Sequence, residues 1–474
     1  MSDPAHAPAL DPAPYAAEAE PARPTRDDLA TLPPGPRLPA LAQAALLGVR
    51  PLAFVEHCRR RYGDAFTLRF PGAPPIVAFA HPDAVKQIFT GGADALHAGE
   101  ANAQLGPLLG WSSLLLLDGA RHLEERRLLM PPFHGERMEA YAVAMRAVAD
   151  AAIDTWPVGR AFPILREMQA ITLDVILRVV FGFEEEGERA RLRALLRDLV
   201  RVAANPLWLV PALRVDLGPL TPWRALTRAR RRVAETLRAE FARRRTMPSG
   251  QRSDILSMVL EARYEDGRAM TDAELCDEMI TLLLAGHETT ATALAWTTYH
   301  VLRTHGLAER VRAEIDAVTG GGDLEAGHLL RLELLDAVVK EGLRINPVLD
   351  DVGRVVKRPV EIGGWRLPAG VAVAPQIHLV HHRADLYPDP DRFDPERFLG
   401  RRTSPYEFLP FGGGTRRCLG MAFALYEMKV VLARVLGRAD LRLASRHPAR
   451  PVRRAITLVP SGGVRVVLQR APGS

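Results

Sequence analysis

The sequence Phe-Gly-Gly-Gly-Thr-Arg-Arg-Cys-Leu-Gly at residues 411–420 decides the fold that we predict for this chain of 474 residues. Three consecutive glycines allow a flat or bulky group to approach the backbone closely, because no Cβ stands in the way. The apolar residues 419–436 predict a helix directly after Cys418, whose free N–H groups and dipole would favour a thiolate. A lone thiolate beside Arg416 and Arg417 suits a soft iron centre, whereas zinc would need further cysteine or histidine ligands nearby.

Composition and charge exclude several classes of protein. The chain is 47% hydrophobic and 25% charged, which is ordinary for a globular protein with a large core. Its three cysteines are too few and too scattered for a disulfide framework, which favours the cytoplasm. The net charge of +6 is too mild to imply nucleic acid. Residues 1–31, rich in Ala and Pro, predict a disordered tail without a secretory signal, and no apolar run is long enough to span a membrane.

A long buried helix is predicted in the middle of the chain. Thr271 and Glu274 form a capping box, and the helix can run to about Leu302, roughly 45–50 Å at 1.5 Å per residue. It is apolar nearly all round, yet residues 286–290, Gly-His-Glu-Thr-Thr, interrupt its middle, where a charge is costly unless it is paired or functional. A zinc-protease motif is excluded, because it needs a second histidine four residues after His287, for which we predict a packed or hydrogen-bonded side chain.

A shorter helix is predicted after Asp118, which can cap it, and before Pro131. His122 and Arg126 are four residues apart on this helix, so they share a face that either holds an anion or is a solvated basic surface. The arginine-rich residues 223–245 also form a helix in this interpretation. Because apolar residues recur along it at helical spacing, we assign its arginines to a solvated face and not to nucleic-acid binding.

Short strands are predicted before and after the helical part of the chain. Residues 66–70 and 76–79 predict a hairpin, and residues 355–373 predict a small antiparallel sheet. Residues 455–460 and 464–470 flank a Ser-Gly-Gly turn and predict a strand-turn-strand unit at the end of the chain.

Four motifs, in this order, resemble those of the cytochrome P450 haem-thiolate monooxygenases of the soluble bacterial type. His-x-x-x-Arg at residues 122–126 is similar to a haem-propionate pair, and Ala-Gly-His-Glu-Thr-Thr at residues 285–290 is similar to the oxygen-activation motif. Glu-x-x-Arg at residues 341–344 is followed by Phe-Asp-Pro-Glu-Arg-Phe at residues 393–398. The loop at residues 411–420 fills every fixed position of Phe-x-x-Gly-x-Arg-x-Cys-x-Gly.

The resemblance implies a mainly α fold with small β-sheets, in a single haem-binding domain over residues 32–474. It implies haem b as the cofactor, Cys418 as the ligand of its iron, and Glu288 and Thr289 as the catalytic acid and alcohol. The residues that it places around the cofactor are His122, Arg126, Ala285, Gly286, Arg354, Phe411, Gly412, Arg416 and Gly420. A structural charge network would join Glu341, Arg344 and Arg397.

The resemblance also implies where a substrate would lie. Residues 94–117 would form a loop over the pocket, and residues 205–223 would form a mobile lid. The candidate substrate contacts are Trp111, Leu284, Ala285, Val348, Leu349, Leu458 and Val459, with the last two at the tip of a loop. These side chains are mostly apolar, which favours a fatty acid, terpenoid, steroid or polyketide of secondary metabolism without choosing among them.

The implied function is that of a cytoplasmic monooxygenase, which hydroxylates or epoxidises an apolar small molecule with dioxygen and two external electrons. Since no flavin or iron–sulfur domain is expected in this chain, the electrons would come from a ferredoxin or flavodoxin with its reductase. The candidates for its docking face are Arg121, Arg127, Arg417 and Lys429. Two alternatives remain open at this point, namely a peroxide-dependent peroxygenase and a non-catalytic haem-binding sensor.

Overall fold

The computed structural model describes residues 24–133, 137–183, 186–209, 214–216, 218, 221–247 and 254–470. Most of the predicted tail, residues 1–23, lies outside the described residues, as do Pro211 and Pro219 of the predicted lid. The end of the predicted tail differs from our expectation, because helix α1 (Arg26–Ala30) forms there. Thr25 and Asp28 make a capping box at its start, and Leu29 packs against a core cluster, so local capping and burial together order this turn.

Helices make up most of the described chain. In order, they are α1 (Arg26–Ala30), α2 (Ala40–Val49), α3 (Pro51–Tyr62), α4 (Pro82–Thr90), α5 (Ala98–Ala101), α6 (Gly106–Leu109), α7 (Gly119–Leu129), α8 (Arg137–Ile153), α9 (Ile164–Val179), α10 (Glu186–Ala203), α11 (Pro222–Arg245), α12 (Ile255–Glu261), α13 (Asp272–Arg303), α14 (Leu307–Thr319), α15 (Glu333–Ile345), α16 (Ile377–His381) and α17 (Met421–Arg438).

The strands form small sheets outside the helical core. They are β1 (Ala65–Leu68), β2 (Ile76–Phe79), β3 (Leu96–His97), β4 (Ala161–Pro163), β5 (Arg354–Val356), β6 (Val360–Ile362), β7 (Trp365–Leu367), β8 (Ala372–Pro375), β9 (Leu441–Leu443), β10 (Pro451–Arg454), β11 (Thr457–Pro460) and β12 (Arg465–Leu468). One sheet has the order β1-β2-β8-β5-β3, with β2 and β8 parallel and its other pairs antiparallel. The predicted β1–β2 hairpin is confirmed.

The predicted long helix is confirmed as α13, which spans 32 residues and therefore about 48 Å. Thr271 and Glu274 form its capping box as predicted. The helix packs against α9, α11, α15 and α17, so protein surrounds most of its length. Its residues belong to the largest core cluster, which also holds most of the apolar residues of these four neighbours. Because protein surrounds it, this helix can carry apolar residues on every side.

Two predictions about the strands near the end of the chain were wrong. Residues 355–373 do not form one small antiparallel sheet, because β5 and β8 join the five-stranded sheet while β6 and β7 form a separate hairpin. The final strands also belong to different sheets, since β11 pairs with β10 whereas β12 lies between β4 and β9. The pattern of apolar residues predicted the strands correctly but carried no information on their partners.

The predicted tip of the last hairpin was also wrong. Leu458 and Val459 lie within β11 and are buried, opposite Arg453 and Val452 of β10. The turn between β10 and β11 is made instead by Ala455 and the exposed Ile456. Ala455 has a φ of 52°, a conformation that non-glycine residues adopt at tight turns.

The predicted charge network is formed by side chains of α15 and of the 3-10 turn Pro395–Phe398. Glu341 and Arg344 are both fully buried, and Arg344 donates through Nε and Nη2 to the two Glu341 oxygens at 2.6 and 2.8 Å. Arg397 Nε donates to Glu341 Oε1 at 3.2 Å, and the Asp394 N–H donates to the same oxygen at 2.9 Å. Arg344 Nη1 also donates to the His381 carbonyl at 2.8 Å. The network therefore fixes the segment that precedes the cysteine loop.

We expect Arg344→Gln to lower the free energy of unfolding by about 3–5 kcal/mol, because Glu341 would keep a buried charge without its main partner. The matched control is Lys340→Gln on the same helix, where Lys340 and Asp336 are about one-third exposed and pair at 2.6 Å. That substitution is expected to cost less than about 1 kcal/mol. Urea unfolding of the two variants followed by circular dichroism compares the costs. Equal costs would show that the network is not a buried charge cluster of the kind described.

Candidate active site

The loop before α17 is closed by its own backbone and shaped by its glycines. The Cys418 N–H donates to the Phe411 carbonyl at 2.9 Å, and Gly412 and Gly414 have φ values of 66° and 65°. A Cβ on Gly414 would lie 2.0 Å from the Phe89 carbonyl oxygen, which no side chain allows. The loop must therefore have glycine at position 414 because the backbone of α4 packs directly against it.

The surroundings of Cys418 differ in part from the prediction. Helix α17 begins at Met421 with Gly420 as its N-cap, so Cys418 precedes the helix by more than we expected. Its side chain is accessible, although protein surrounds it on most sides, and this burial raises the pKa of the thiol. The Gly420 backbone N–H and the charges of Arg126 and Arg417 act in the opposite direction. A coordinated metal ion would displace the proton whatever the balance of these effects.

Basic side chains from different elements converge in this part of the structure, and Arg126 lies close enough to Cys418 to influence its pKa. His122 and Arg126 come from α7, Arg354 begins β5, and Arg416 precedes Cys418. Burial lowers the pKa of His122 to about 3, and Arg416, Arg126 and Arg354 contribute to this shift. Burial and the neighbouring Arg416 lower the pKa of Arg354 to about 10. His122, Arg354 and Arg416 line one cleft, so these three side chains share one region.

Asp118 has a different role from the one predicted. It occupies the N-cap position of α7, but its carboxylate makes no hydrogen bond to that helix. The carboxylate instead accepts from the backbone N–H groups of Gly99 and Glu100, both at 2.9 Å, and from Arg416. Asp118 therefore caps α5 and binds Arg416. Both partners are distant in sequence, so the residues next to Asp118 could not predict them.

The cation cluster borders a cleft, and it is suited to an anion with two negative charges. The cleft is lined by Ile88, Phe89, Gly91, Ala93, Leu96, Asp118, Gly119, His122, Arg354, Gly413, Thr415 and Arg416. Within the described residues, no carboxylate pairs with Arg126 or Arg354, whereas Asp118 pairs with Arg416. Two unneutralised guanidinium groups in a partly buried place favour a dicarboxylate as the missing partner.

The middle of α13 presents an exposed position on a helix that is otherwise buried. Ala285 is exposed, and the Thr289 hydroxyl one turn later donates to the Ala285 carbonyl at 2.5 Å. Thr290 donates to the Gly286 carbonyl at 2.9 Å in the same way. Gly286 lies against α9, where an added Cβ would be 2.8 Å from Ile176. This face of α13 can therefore receive a ligand, while the helix backbone keeps its hydrogen bonds.

Glu288 is held by residues that the sequence analysis missed. Its two carboxylate oxygens accept from Gln169 Nε2 of α9 at 3.0 and 2.9 Å. Arg454 Nη1, at the end of β10, lies 3.4 Å from the same carboxylate. Gln169 is 119 residues away in sequence, so no motif or spacing could have indicated it. The buried charge that the sequence predicted to be costly thus has partners from two other elements.

His287 has the packed environment that we predicted. Its side chain is buried, and burial lowers the pKa of the imidazole. Its carbonyl oxygen accepts from the Thr172 hydroxyl of α9 at 3.0 Å. His287 and its neighbours therefore contribute to the packing of α13 on α9.

The predicted substrate contacts divide into two groups. Val348 and Leu458 come together, because the Leu458 N–H donates to the Val348 carbonyl at 2.8 Å and the Leu458 carbonyl accepts from the Trp296 indole of α13 at 3.0 Å. Leu284, Leu349 and Val459 are partly or fully buried. The Trp111 ring instead packs on Gly106 of its own segment, where an added Cβ would be 2.6 Å from it. Trp208 of the predicted lid is buried and donates to the Ala203 carbonyl at 2.9 Å.

The predicted docking residues are mostly engaged in ion pairs. Arg121 binds Glu274, Arg127 binds Glu265 at 2.6 Å, and Lys429 lies 3.3 Å from Asp336. Arg417 is exposed and lies close enough to Cys418 to influence its pKa. Among the described residues, no helix is both long and apolar enough to cross a membrane.

Known proteins share this architecture. A family model described as cytochrome P450 matches residues 32–465. Cytochrome P450 135B1 of Mycobacterium tuberculosis is 46% identical over 440 residues, which cover 92% of this chain and 91% of that protein. Cytochrome P450 135A1 of the same species is 38% identical, with 93% and 96% covered.

Solved structures agree with this assignment. Retinoic acid-bound cyanobacterial CYP120A1 has a TM-score of 0.81 at 26% identity and covers 92% of this chain and 99% of its own. The haem domain of cytochrome P450DA has a TM-score of 0.82 at 23% identity, which supports the fold alone, with 93% and 97% covered. The predicted mainly α fold with small β-sheets is thereby confirmed. Because the family model spans most of the sequence and the relatives match over more than 90% of their length, this chain belongs to the cytochrome P450 family.

Proposed function

We propose that this protein is a haem-thiolate monooxygenase that hydroxylates or epoxidises an apolar small molecule, with dioxygen and two electrons supplied by a separate protein. Proteins of the family bind haem b and are monooxygenases, so the reaction class and the cofactor follow from membership. One observation carries the proposal for this chain's own residues. An accessible cysteine lies beside a cluster of cations in which Arg126 influences both the Cys418 thiol and His122.

The residues around the cleft fit haem, because its two propionates are the dicarboxylate that the cation cluster lacks. In this proposal Arg126, Arg354 and Arg416 would hold the propionates together with His122, and Cys418 would bind the iron. Phe411, Gly412 and Gly420 shape the loop on the thiolate side, and Ala285 with Gly286 gives the flat face on α13. Bound haem supplies the iron at which dioxygen is activated.

Glu288 and Thr289 are proposed to deliver protons during the reaction. A carboxylate and an adjacent hydroxyl on one helix can pass protons between water and a reacting centre. Support comes from the geometry of Glu288, which is partly buried yet held by the neutral Gln169 amide and by an arginine at 3.4 Å. Gln169 is accordingly a positioning residue, because it acts by orienting Glu288.

The electron donor is proposed to be a ferredoxin or flavodoxin with its reductase, since the family generally uses redox partner proteins. Arg417 is the best-supported docking residue, because it is exposed and lies close to Cys418. Arg121, Arg127 and Lys429 would have to exchange their present carboxylate partners for those of an incoming protein.

The substrate is proposed to be an apolar molecule of the fatty acid, terpenoid, steroid or polyketide class. The proposal is supported by the apolar side chains of Val348, Leu349, Leu284 and Leu458 near α13. The solved relative CYP120A1 holds retinoic acid, a molecule of this general kind.

The first test is the visible spectrum of the reduced protein with carbon monoxide. The wild type is expected to give the strongly red-shifted band of a haem thiolate, because the axial ligand would be Cys418. Cys418→His should keep haem and lose that band. A wild-type spectrum without the band, in a protein that retains haem, would contradict the proposed ligand.

Haem retention tests the cation cluster separately. We expect Arg126→Gln to raise the rate of haem transfer to apomyoglobin about tenfold, since one charge-assisted hydrogen bond is worth about 1.5–3 kcal/mol. Arg127→Gln is the matched control on the next position of α7, where the side chain is exposed and pairs with Glu265. If both variants lose haem equally fast, Arg126 does not contact a propionate.

A double-mutant cycle tests the positioning of Glu288. Glu288→Gln is expected to lower turnover about 10²-fold, and Gln169→Leu about tenfold, because general acid catalysis needs a placed donor. In the Glu288→Gln background, Gln169→Leu should have no further effect. The measurement is the rate of product formation per enzyme, with hydrogen peroxide release as the second readout. Additive effects of the two substitutions would show that Gln169 does not act through Glu288.

Oxygen consumption separates the proposal from its two alternatives. A monooxygenase consumes dioxygen in step with product when a working electron donor is supplied. Product formed only with added peroxide would indicate a peroxygenase, and substrate binding without any product would indicate a sensor. The presence of both Glu288 and Thr289 favours the dioxygen-dependent enzyme.

A further inference from the structure

Two glutamate side chains that the proposed function does not use are fully buried. Glu125 lies on α7 and Glu278 lies on α13, and neither residue is exposed to solvent. Burial raises the pKa of both carboxyl groups above the ordinary value for glutamate. Because an ionised carboxylate is costly to bury without a partner, each group needs a cation, a hydrogen-bond donor or a proton.

Each of these carboxyl groups has one oxygen with a hydrogen bond and one without. Glu278 Oε1 accepts from the backbone N–H of Leu114 at 2.5 Å, and Glu125 Oε2 accepts from the Tyr264 hydroxyl at 2.6 Å. Glu278 Oε2 and Glu125 Oε1 are buried and have no hydrogen-bond partner among the residues that the structure describes. Since buried polar atoms are nearly always hydrogen-bonded in native proteins, these two oxygens require an explanation.

The two carboxyl groups are neighbours across the contact between α7 and α13. Arg121 of α7 forms an ion pair with Glu274 of α13. Glu125 and Glu278 each follow by four residues, so they lie one turn further along the same faces of the two helices. After burial itself, the charge of Glu125 makes the largest contribution to the raised pKa of Glu278. A carboxyl group on one helix thus faces a carboxyl group on the other.

The cations around the pair are bound to other carboxylates. Arg121 and Arg268 both bind Glu274, and their guanidinium groups lie 5.7 and 4.1 Å from the centre of the Tyr264 ring. Within the described ranges, neither Glu125 nor Glu278 forms an ion pair of its own. The titratable and charged groups that surround the pair are Arg121, Tyr264, Arg268, Glu274 and Asp277, and beyond Asp277 lie Arg230 and Arg238 of α11.

We propose that Glu125 and Glu278 share one proton, which forms a hydrogen bond between Glu278 Oε2 and Glu125 Oε1 and joins α7 to α13. One proton satisfies both of the oxygens that lack a partner, because a protonated carboxyl group donates and an ionised one accepts. Two ionised carboxylates at this place would repel each other where little water is present to screen them.

The shared proton connects three parts of the chain around the site. Helix α7 carries His122 and Arg126, α13 carries Glu288, and the Leu114 N–H attaches the segment before α7 to the same carboxyl pair. The pair itself contacts none of the reacting groups, so Glu125 and Glu278 are positioning residues.

The shared proton makes the stability of the fold depend on pH. An unfolded glutamate loses its proton above its ordinary pKa, whereas the folded pair keeps one. Stability is therefore highest below the ordinary glutamate pKa and falls as the pH rises towards the raised pKa of the folded state. Over that range, the equilibrium constant for folding is expected to fall by up to about tenfold for each pH unit.

Infrared spectroscopy of the full-length protein with its cofactor tests for the proton directly. A protonated carboxyl group has a carbonyl stretching band that an ionised carboxylate lacks. Other buried carboxyl groups such as Glu427 can contribute to this band, so the informative signal is the difference between the wild type and Glu278→Gln at neutral pH. We expect the substitution to remove one acid band. Glu124→Gln, at the exposed neighbouring position of α7, is the matched control and should leave the band unchanged.

Urea unfolding at about pH 5 and about pH 8 measures the pH dependence. In Glu278→Gln the amide can donate to Glu125 Oε1 at every pH, so the fall in the folding constant between the two pH values should be at least about tenfold smaller than in the wild type. Glu125→Gln should reduce the fall in the same way, and it provides the test if Glu278→Gln does not fold. Glu124→Gln should keep the wild-type pH dependence.

Three results would overturn the proposal. One is an acid band of equal strength in the wild type and Glu278→Gln, which would mean that both carboxylates are ionised and held in another way, for example by water. The second is an unchanged pH dependence of unfolding in both Glu278→Gln and Glu125→Gln, and the third is an equal change in Glu124→Gln. Neither measurement depends on which residue binds the iron, so its failure is distinguishable from failure of the proposed function.

Discussion

Positive charge gathered beside one cysteine is the constraint on which this structure depends. Arg126, Arg354 and Arg416 reach the same partly buried region from three elements, together with His122. Burial, and then the like charges of neighbouring arginines, lower the pKa values of His122 and Arg354. Asp118 neutralises Arg416, and in the proposed function the haem propionates would be the counter-anions of Arg126 and Arg354.

A second constraint acts on the central helix α13, because it carries a charged residue among apolar ones. Glu288 lies in the middle of α13, where an unpaired carboxylate would cost several kcal/mol. Gln169 supplies two hydrogen bonds without a charge, and Arg454 stands at a longer distance. The carboxylate is stabilised but not locked into a tight ion pair. This is the state that a group must have if it is to exchange protons with water and with a neighbouring hydroxyl.

The buried charges of Glu341 and Arg344 stabilise the framework. Glu341 and Arg344 form a tight bidentate pair, and Arg397 with the Asp394 N–H completes the hydrogen bonds of the carboxylate. Glu341 thus accepts hydrogen bonds from two arginines at 2.6–3.2 Å, whereas Glu288 has one arginine at 3.4 Å and a neutral amide. At the surface the reverse situation occurs in α2, where the polar side chain is inside and the apolar ones are outside.

The sequence by itself determined the family, the long helix α13, the capping box at its start, the cysteine loop and the pairing of Glu341 with Arg344. These features depend on spacing within one segment or on motifs whose residues stand close together, so local chemistry is enough to predict them. Only the tertiary structure decided that Gln169 and Arg454 hold Glu288, that Asp118 caps α5, and that β11 and β12 belong to different sheets. Each of these contacts joins residues far apart in the chain, and many apolar or polar partners would satisfy the same local pattern. Tertiary packing decides which of these partners come together, and the sequence pattern of a single segment does not predict that choice.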